Sequence, residues 1–193
     1  VKECLLNVCR NFPQTRKDTC RLAMFALYQL NLYSVEITSE LIALFGKSDV
    51  DYIRLGMYEY LVATKHHNAH VDFFLQGIVF VERDGAWSSG KTCRIGNESI
   101  CLIEGLKEMS TEDSISAVLK WFACKDSDHL FAEDKIFGEL LKKTAKLYQA
   151  GGKRLYKVVL GCCRKSLRKY NYENVLECIC FFEQTNTLHQ ATC

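Results

Sequence analysis

Apolar residues recur at spacings of three and four along almost the whole chain, and only one proline, Pro13, interrupts them. This spacing places apolar side chains on one face of an α-helix. Eight or nine such segments, joined by short links, fill the 193 residues. The pattern predicts an all-α fold, either a helical bundle or a short α-solenoid of HEAT- or TPR-like helix pairs. No internal repeat of about 34 or about 40 residues accompanies it.

The middle of the chain departs from this pattern. The segment Asn68–Glu82 suits a buried helix or a strand, and Gly85, Gly90 and Gly96 follow it closely. The sequence therefore predicts a β-hairpin or an ordered loop at residues 78–96. We expect residues 1–193 to form a single helical domain, and any seam within it to lie at 83–97. The start at Val1 favours an excised part of a larger protein.

The segment that follows Arg21 is apolar around most of its circumference. Its apolar residues are Leu22, Ala23, Met24, Phe25, Ala26, Leu27, Tyr28, Leu30 and Leu32. A helix of this composition is predicted to lie inside a core. The run is far shorter than the about 20 apolar residues of a membrane span, so we expect no membrane partner.

Eleven cysteines invite a disulfide interpretation, but their number is odd and their spacing irregular. Most lie within the apolar stripes of predicted helices, where a free cysteine packs as a small hydrophobic residue. Free thiols are typical of reducing compartments. The cysteines therefore predict an intracellular protein, nuclear or cytoplasmic.

A net charge of only +2 conceals a strongly basic segment. Residues 139–170 contain ten Lys and Arg against Glu139 alone, a local charge of +9, while residues 1–138 carry −4 and the last 23 residues −3. If Lys153–Tyr170 is helical, four of its cations fall within about 60° of arc, opposite an apolar face, namely Lys153, Lys157, Arg164 and Arg168.

These cations form the principal candidate binding surface, which we call the basic face. Its residues are Lys142, Lys143, Lys146, Lys153, Lys157, Arg164, Lys165, Arg168 and Lys169. Such a surface suits the acidic segment of another protein chain, or the phosphates of DNA or RNA. A solvated helix face without a ligand is the third interpretation.

A second pattern matches the phosphate-binding loop of nucleotide-binding proteins. Gly85, Gly90, Lys91 and Thr92 fit the spacing at which glycine amides, a lysine and a hydroxyl contact phosphates and Mg²⁺. The context is unfavourable, because charged residues separate the preceding apolar run from Gly85 and Gly96 interrupts the helix that would follow. Nucleotide binding at residues 85–92 is therefore kept as an alternative.

Histidines 66, 67 and 70 lie close together, but no paired C-x-x-C motif accompanies them. We therefore predict neither a metal nor a cofactor. No paired catalytic acids or nucleophile signature is evident either, so we expect a protein without enzymatic activity. The sequence predicts a protein–protein interaction or scaffold module of an intracellular assembly. The assembly either associates with nucleic acid or consists of protein alone. Direct nucleic-acid binding through the basic face is the main alternative.

Overall fold

The computed structural model describes residues 1–83 and 97–124, together with positions 136, 139, 140, 143, 144, 147 and 180. All regular structure in these residues is helical, which confirms the predicted all-α fold class. The described α-helices are α1 (Lys2–Arg10), α2 (Lys17–Gln29), α3 (Val35–Phe45), α4 (Asp51–Ala63), α5 (Val71–Arg83), α6 (Asn97–Lys107) and α7 (Glu112–Cys124). A 3-10 turn at His67–His70 separates α4 from α5. None of these helices is both long and apolar enough to cross a lipid bilayer.

The chain divides into two compact units, Val1–Glu108 and Met109–Cys193. The predicted seam at 83–97 and the single-domain organisation stay predictions, because residues 84–96 lie outside the described part of the chain.

The six α-helices that the structure describes in the first unit are arranged in three consecutive pairs. Helices α1 and α2 pack together, as do α3 and α4, and α5 and α6. The second helix of each pair (α2, α4 and α6) belongs to one row, in which α4 contacts both α2 and α6. Among the first helices of the pairs, α1 contacts α3. These are the neighbour relations of stacked helix pairs, in which each pair buries its apolar surface against the next.

Helix α4 lies at the centre of this arrangement and is buried on nearly all sides. Its buried residues are Ile53, Arg54, Leu55, Gly56, Met57, Tyr58, Tyr60 and Leu61. A helix with this burial needs neighbours around it, and α2, α3 and α6 supply them. The sequence predicts burial on all sides for α2, but the helix that is buried in this way is α4.

Helix α5 decides the ambiguity between strand and helix at Asn68–Glu82 in favour of a helix. Phe73, Phe74 and Ile78 are buried, whereas Gln76 and Val79 are exposed, a three-to-four-residue period rather than a strict alternation. Residues 78–83 are therefore helical and do not belong to a hairpin or loop. The remainder of that predicted region, 84–96, lies outside the described residues.

An aromatic cluster joins α4, α5 and α6. The ring centroid of Tyr58 lies 5.2 Å from that of Phe73 and 5.3 Å from that of Phe74. Gly105 of α6 lies against the Phe74 ring, and a Cβ atom at this position would be 2.2 Å from Cε1 of Phe74. The absence of a side chain at Gly105 is therefore what allows α6 to approach the cluster.

The buried hydroxyl of Thr38 links α3 to the turn that joins the second helix pair to the third. Thr38 Oγ1 donates to the carbonyl of Ser34 at 2.9 Å, and lies 3.2 Å from the Tyr60 hydroxyl and 2.6 Å from Nδ1 of His66. A hydroxyl has one proton to donate, so Tyr60 and His66 must both donate to Thr38. Nδ1 of His66 therefore carries a proton. Burial raises the pKa of Tyr60 above its usual value, so its hydroxyl keeps this proton.

The described cysteines agree in part with the prediction of buried free thiols. Cys9 and Cys20 are free and buried between α1 and α2, as expected from their positions in apolar stripes. Cys101 is half-buried, whereas Cys4 and Cys180 are exposed. A position in a predicted apolar stripe therefore does not by itself decide whether a thiol is buried.

His70 makes the stability of the first unit depend on pH. Its pKa lies below the ordinary 6.5, because the ring is partly buried and because His66 adds positive charge nearby. The unfolded chain binds this proton more readily, so the contribution of His70 to the free energy of unfolding is complete above pH 6.5 and is lost as the pH drops below that value. Replacing His70 with Gln should flatten this decline in urea titrations between about pH 5 and pH 8. An unchanged decline would assign it to other groups.

The described part of the second unit is also helical. Ile115, Val118 and Leu119 lie buried on one face of α7, and the hydroxyl of Thr111 caps the helix by accepting a hydrogen bond from the Ser114 amide at 3.2 Å. Further along, Ile136, Leu140 and Thr144 are buried at a four-residue spacing. This is the spacing of one face of an α-helix.

Candidate functional site

The structure reaches only one residue of the basic face. Lys143 is half-buried and helical. The other residues lie outside the described part of the chain, namely Lys142, Lys146, Lys153, Lys157, Arg164, Lys165, Arg168 and Lys169. Gly85, Gly90, Lys91 and Thr92 also lie outside it. Both candidate sites therefore stay predictions.

The described residues contain a different candidate, a groove of about 390 Å³ between α2 and α4. We call it the α2–α4 groove. It is lined by Asp18, Arg21, Leu22 and Phe25 of α2 and by Tyr52 and Glu59 of α4. Because α2, α4 and α6 form one row, the groove lies on the surface made by the second helices of the three pairs.

The groove exists because α2 has two apolar faces rather than one. Its buried face carries Cys20, Ala23, Met24 and Leu27. Leu22 and Phe25 lie on the other side of the helix, where they are 64% and 45% exposed. The prediction that α2 is buried on all sides is therefore wrong for this outer face.

A glycine brings the floor of the groove close to α2. A Cβ atom at Gly56 of α4 would lie 2.7 Å from Cε of Met24 and 3.0 Å from Cγ of Arg21. The two helices therefore approach more closely than they would with a larger residue at this position. The close approach holds the stem of Arg21 against α4 and directs its guanidinium along the groove.

The polar part of the groove is a bidentate ion pair. Arg21 donates from Nε to Oε2 of Glu59 at 3.0 Å and from Nη2 to Oε1 at 2.7 Å. Both side chains are about three-quarters buried, with 28% and 27% of their surface exposed. The hydrogen bonds to Glu59 raise the pKa of Arg21 above its usual value. The Arg21 guanidinium therefore keeps its charge, and two hydrogen bonds fix its position against Glu59.

An aromatic ring lies beneath the cations at one end of the groove. The Arg21 guanidinium carbon is 5.2 Å from the centroid of the Tyr52 ring, and Nζ of Lys17 is 5.1 Å from it. Both distances are within the range of cation–π attraction. On α2, the Phe25 and Tyr28 rings meet edge to face at 5.0 Å. The groove is thus aromatic and aliphatic along its walls, with paired charges between them.

The groove offers a binding surface and little reactive chemistry. The Glu59 carboxylate is bound by Arg21, and so is not positioned to act as a free base. Cys101 of α6 is close enough to feel the charge of Glu59, and its pKa is raised, first by burial and then by that negative charge. A thiol in this environment is a poor nucleophile. Among the described residues, no three His, Cys, Asp or Glu side chains come together as metal ligands.

Sequence reasoning missed the groove because apolar residue type alone does not distinguish a core face from an exposed one. One signal was available: on α2 the small residues Cys20 and Ala23 share one face, whereas the larger Leu22 and Phe25 lie opposite them, beside Asp18 and Arg21.

Comparison of the chain with models of known protein families, with curated proteins and with solved structures found no match. The function is therefore argued from the groove and the helix pairs that form it.

Proposed function

We propose that this chain is a non-catalytic protein–protein interaction module that binds its partner in the α2–α4 groove. The observation that carries the proposal is the exposure of Leu22 and Phe25, one helical turn apart, at 64% and 45%. Stacked helix pairs commonly bind partners on the extended surface made by one set of their helices. The groove lies on such a surface.

The binding free energy of this contact would come mainly from burial of the two apolar side chains. Full burial of a leucine or phenylalanine contributes about 1.5–3 kcal/mol. Since both residues are already partly covered, a partner that completes their burial gains about 2 kcal/mol from the two together. Anchors of this size, beside a largely desolvated charge pair, have the composition of an interface hot spot.

We expect the double substitution Leu22→Ala and Phe25→Ala to weaken partner binding roughly 10- to 30-fold, the equivalent of that lost burial. The test begins with a photoreactive phenylalanine analogue at position 25 of the full chain, which captures the protein bound there. The captured protein is then purified and titrated against the wild type and the double variant by calorimetry.

The matched control is Leu30→Ala with Val35→Ala. These residues are 55% and 66% exposed but do not line the groove. The control variant should bind within about twofold of the wild type. Equal binding by the groove variant and the wild type would remove the groove from the proposal.

The basic face carries a second proposal, from the sequence alone: binding of DNA or RNA. Its charge supports it, since affinity for phosphates scales with the cations placed against them. Reversing Lys153, Lys157, Arg164 and Arg168 to Glu separates the two proposals. Loss of nucleic-acid binding with an intact groove would assign this ligand to the basic face.

Nucleotide binding at residues 85–92 is a third proposal. A lack of ATP and GTP binding in the presence of Mg²⁺ would dismiss it.

A further inference from the structure

We infer that the occupant of the α2–α4 groove is the uncharged, apolar face of an amphipathic helix from another protein. This inference rests on the proposed function and adds the chemistry and shape of the partner. It follows from the way charges are paired around the groove, and from the dimensions of its floor.

The charged side chains at the groove are matched with one another. Arg21 is bound by Glu59, Lys17 lies 3.9 Å from Asp51, and Arg16 lies 3.6 Å from Asp18. Each of these described cations thus has a carboxylate within ion-pair distance. Arg21 and Glu59 are about three-quarters buried, so a charged partner that displaced one of them from the other would leave a largely buried charge without its counterion, which is unfavourable. The side chains that complement this surface are therefore neutral.

The spacing of the lining residues sets the length that the partner has to cover. On the floor, Tyr52 and Glu59 are seven residues apart on α4, a distance of about 10 Å at 1.5 Å per residue, or two helical turns. On the wall, Leu22 and Phe25 are separated by one turn. A partner helix with apolar residues at i, i+3 or i+4, and i+7 presents its side chains over this same length.

An extended partner fits less well. Extended peptides gain much of their affinity from backbone hydrogen bonds to the edge of a sheet. The described residues contain no strand, and the groove is lined by side chains of two helices whose backbone groups are engaged within those helices. Side-chain contacts to an apolar helix face are what this groove can provide.

The test is a selection from a library of helical peptides displayed on a rigid scaffold, with random residues on one face. The immobilised full-length chain is the target, and the Leu22→Ala/Phe25→Ala variant is used for counterselection. We expect enriched peptides with Leu, Ile, Met or Phe at i, i+3 or i+4, and i+7, and without charges between them. Their affinity should fall at least about tenfold on the groove variant, and less than about twofold on the Leu30→Ala/Val35→Ala control.

Salt dependence separates a neutral partner from a charged one. Between about 50 and about 500 mM NaCl, the affinity of the selected peptides should change less than about threefold, because screening acts on charges between partners. Enrichment of acidic peptides with strongly salt-dependent binding would overturn the inference. So would enrichment of proline-rich extended sequences in a parallel unstructured library, the lack of any enrichment, or self-association of the chain that the groove substitutions abolish.

The proposed function and the inferred occupant of the groove can be disproved separately. If the captured protein depends on Leu22 and Phe25 but no helical peptide is selected, the proposed function stands and the inferred occupant is wrong. If the captured protein binds the groove variant normally, the proposed function is wrong, whatever the library yields.

Discussion

Replacing Phe74 with Ala is expected to lower the free energy of unfolding by about 3–5 kcal/mol, the cost of removing a fully buried aromatic ring. Phe74 is 0% exposed and packs against both Tyr58 and Phe73. Its neighbours come from α4 and α6 as well as from its own helix. They are held by other contacts and cannot collapse fully into the space that the ring leaves. Since domains are stable by only about 5–15 kcal/mol, the loss is a large fraction of the total.

The measurement is hydrogen exchange of the amides in α4, α5 and α6 under native conditions, which reports directly on the first unit. Phe25→Ala is the matched control. It removes the same atoms from a ring that is 45% exposed, and should cost only about 1–1.5 kcal/mol. Similar losses for the two variants would show that the aromatic cluster is not the centre of this core.

Replacing Gly105 with Ala is expected to destabilise the protein by about 1–3 kcal/mol, although alanine is the better helix former. The added Cβ atom would lie 2.2 Å from Cε1 and 2.9 Å from Cδ1 of Phe74. Ring atoms cannot remain at such distances, so Phe74 or the whole of α6 has to shift. The cost of that overpacking should exceed the gain of about 1 kcal/mol in helix propensity.

A double-mutant cycle tests the stated cause of the Gly105 effect. Phe74→Leu removes the ring atoms that the new Cβ atom would meet, so Gly105→Ala should cost much less in that background, by at least about 1 kcal/mol. Urea titrations followed by circular dichroism give the four free energies. If Gly105→Ala costs the same in both backgrounds, or stabilises the wild type, the close contact with Phe74 is not what keeps this position small.

The helices themselves were largely predictable. Pro13 separates α1 from α2, and Ser34 caps α3 by accepting a hydrogen bond from the Ile37 amide at 3.3 Å. These features are local, because a cap or a break depends on residues a few positions apart. The N-terminal hydroxyl of α7 was predictable for the same reason.

Which apolar faces are buried was not predictable to the same degree. Leu22 and Phe25 are as hydrophobic as Leu27, yet only Leu27 faces the core, because α1 and α4 pack on one side of α2 and leave the other open. The helix at Val71–Arg83 is a similar case, since its apolar content suits a strand equally well. In both segments the deciding contacts come from residues distant in sequence.

The central position of α4 has a consequence for synthesis on the ribosome. The helix is complete at Ala63, but α6, which covers one side of it, ends at Lys107, 44 residues later. At about 5–20 residues per second, α4 remains partly uncovered for several seconds of elongation. During that interval its apolar surface can contact only α2, α3, α5 or a chaperone. The stability of the first unit is thus established late, when the last helix of the third pair reaches its place.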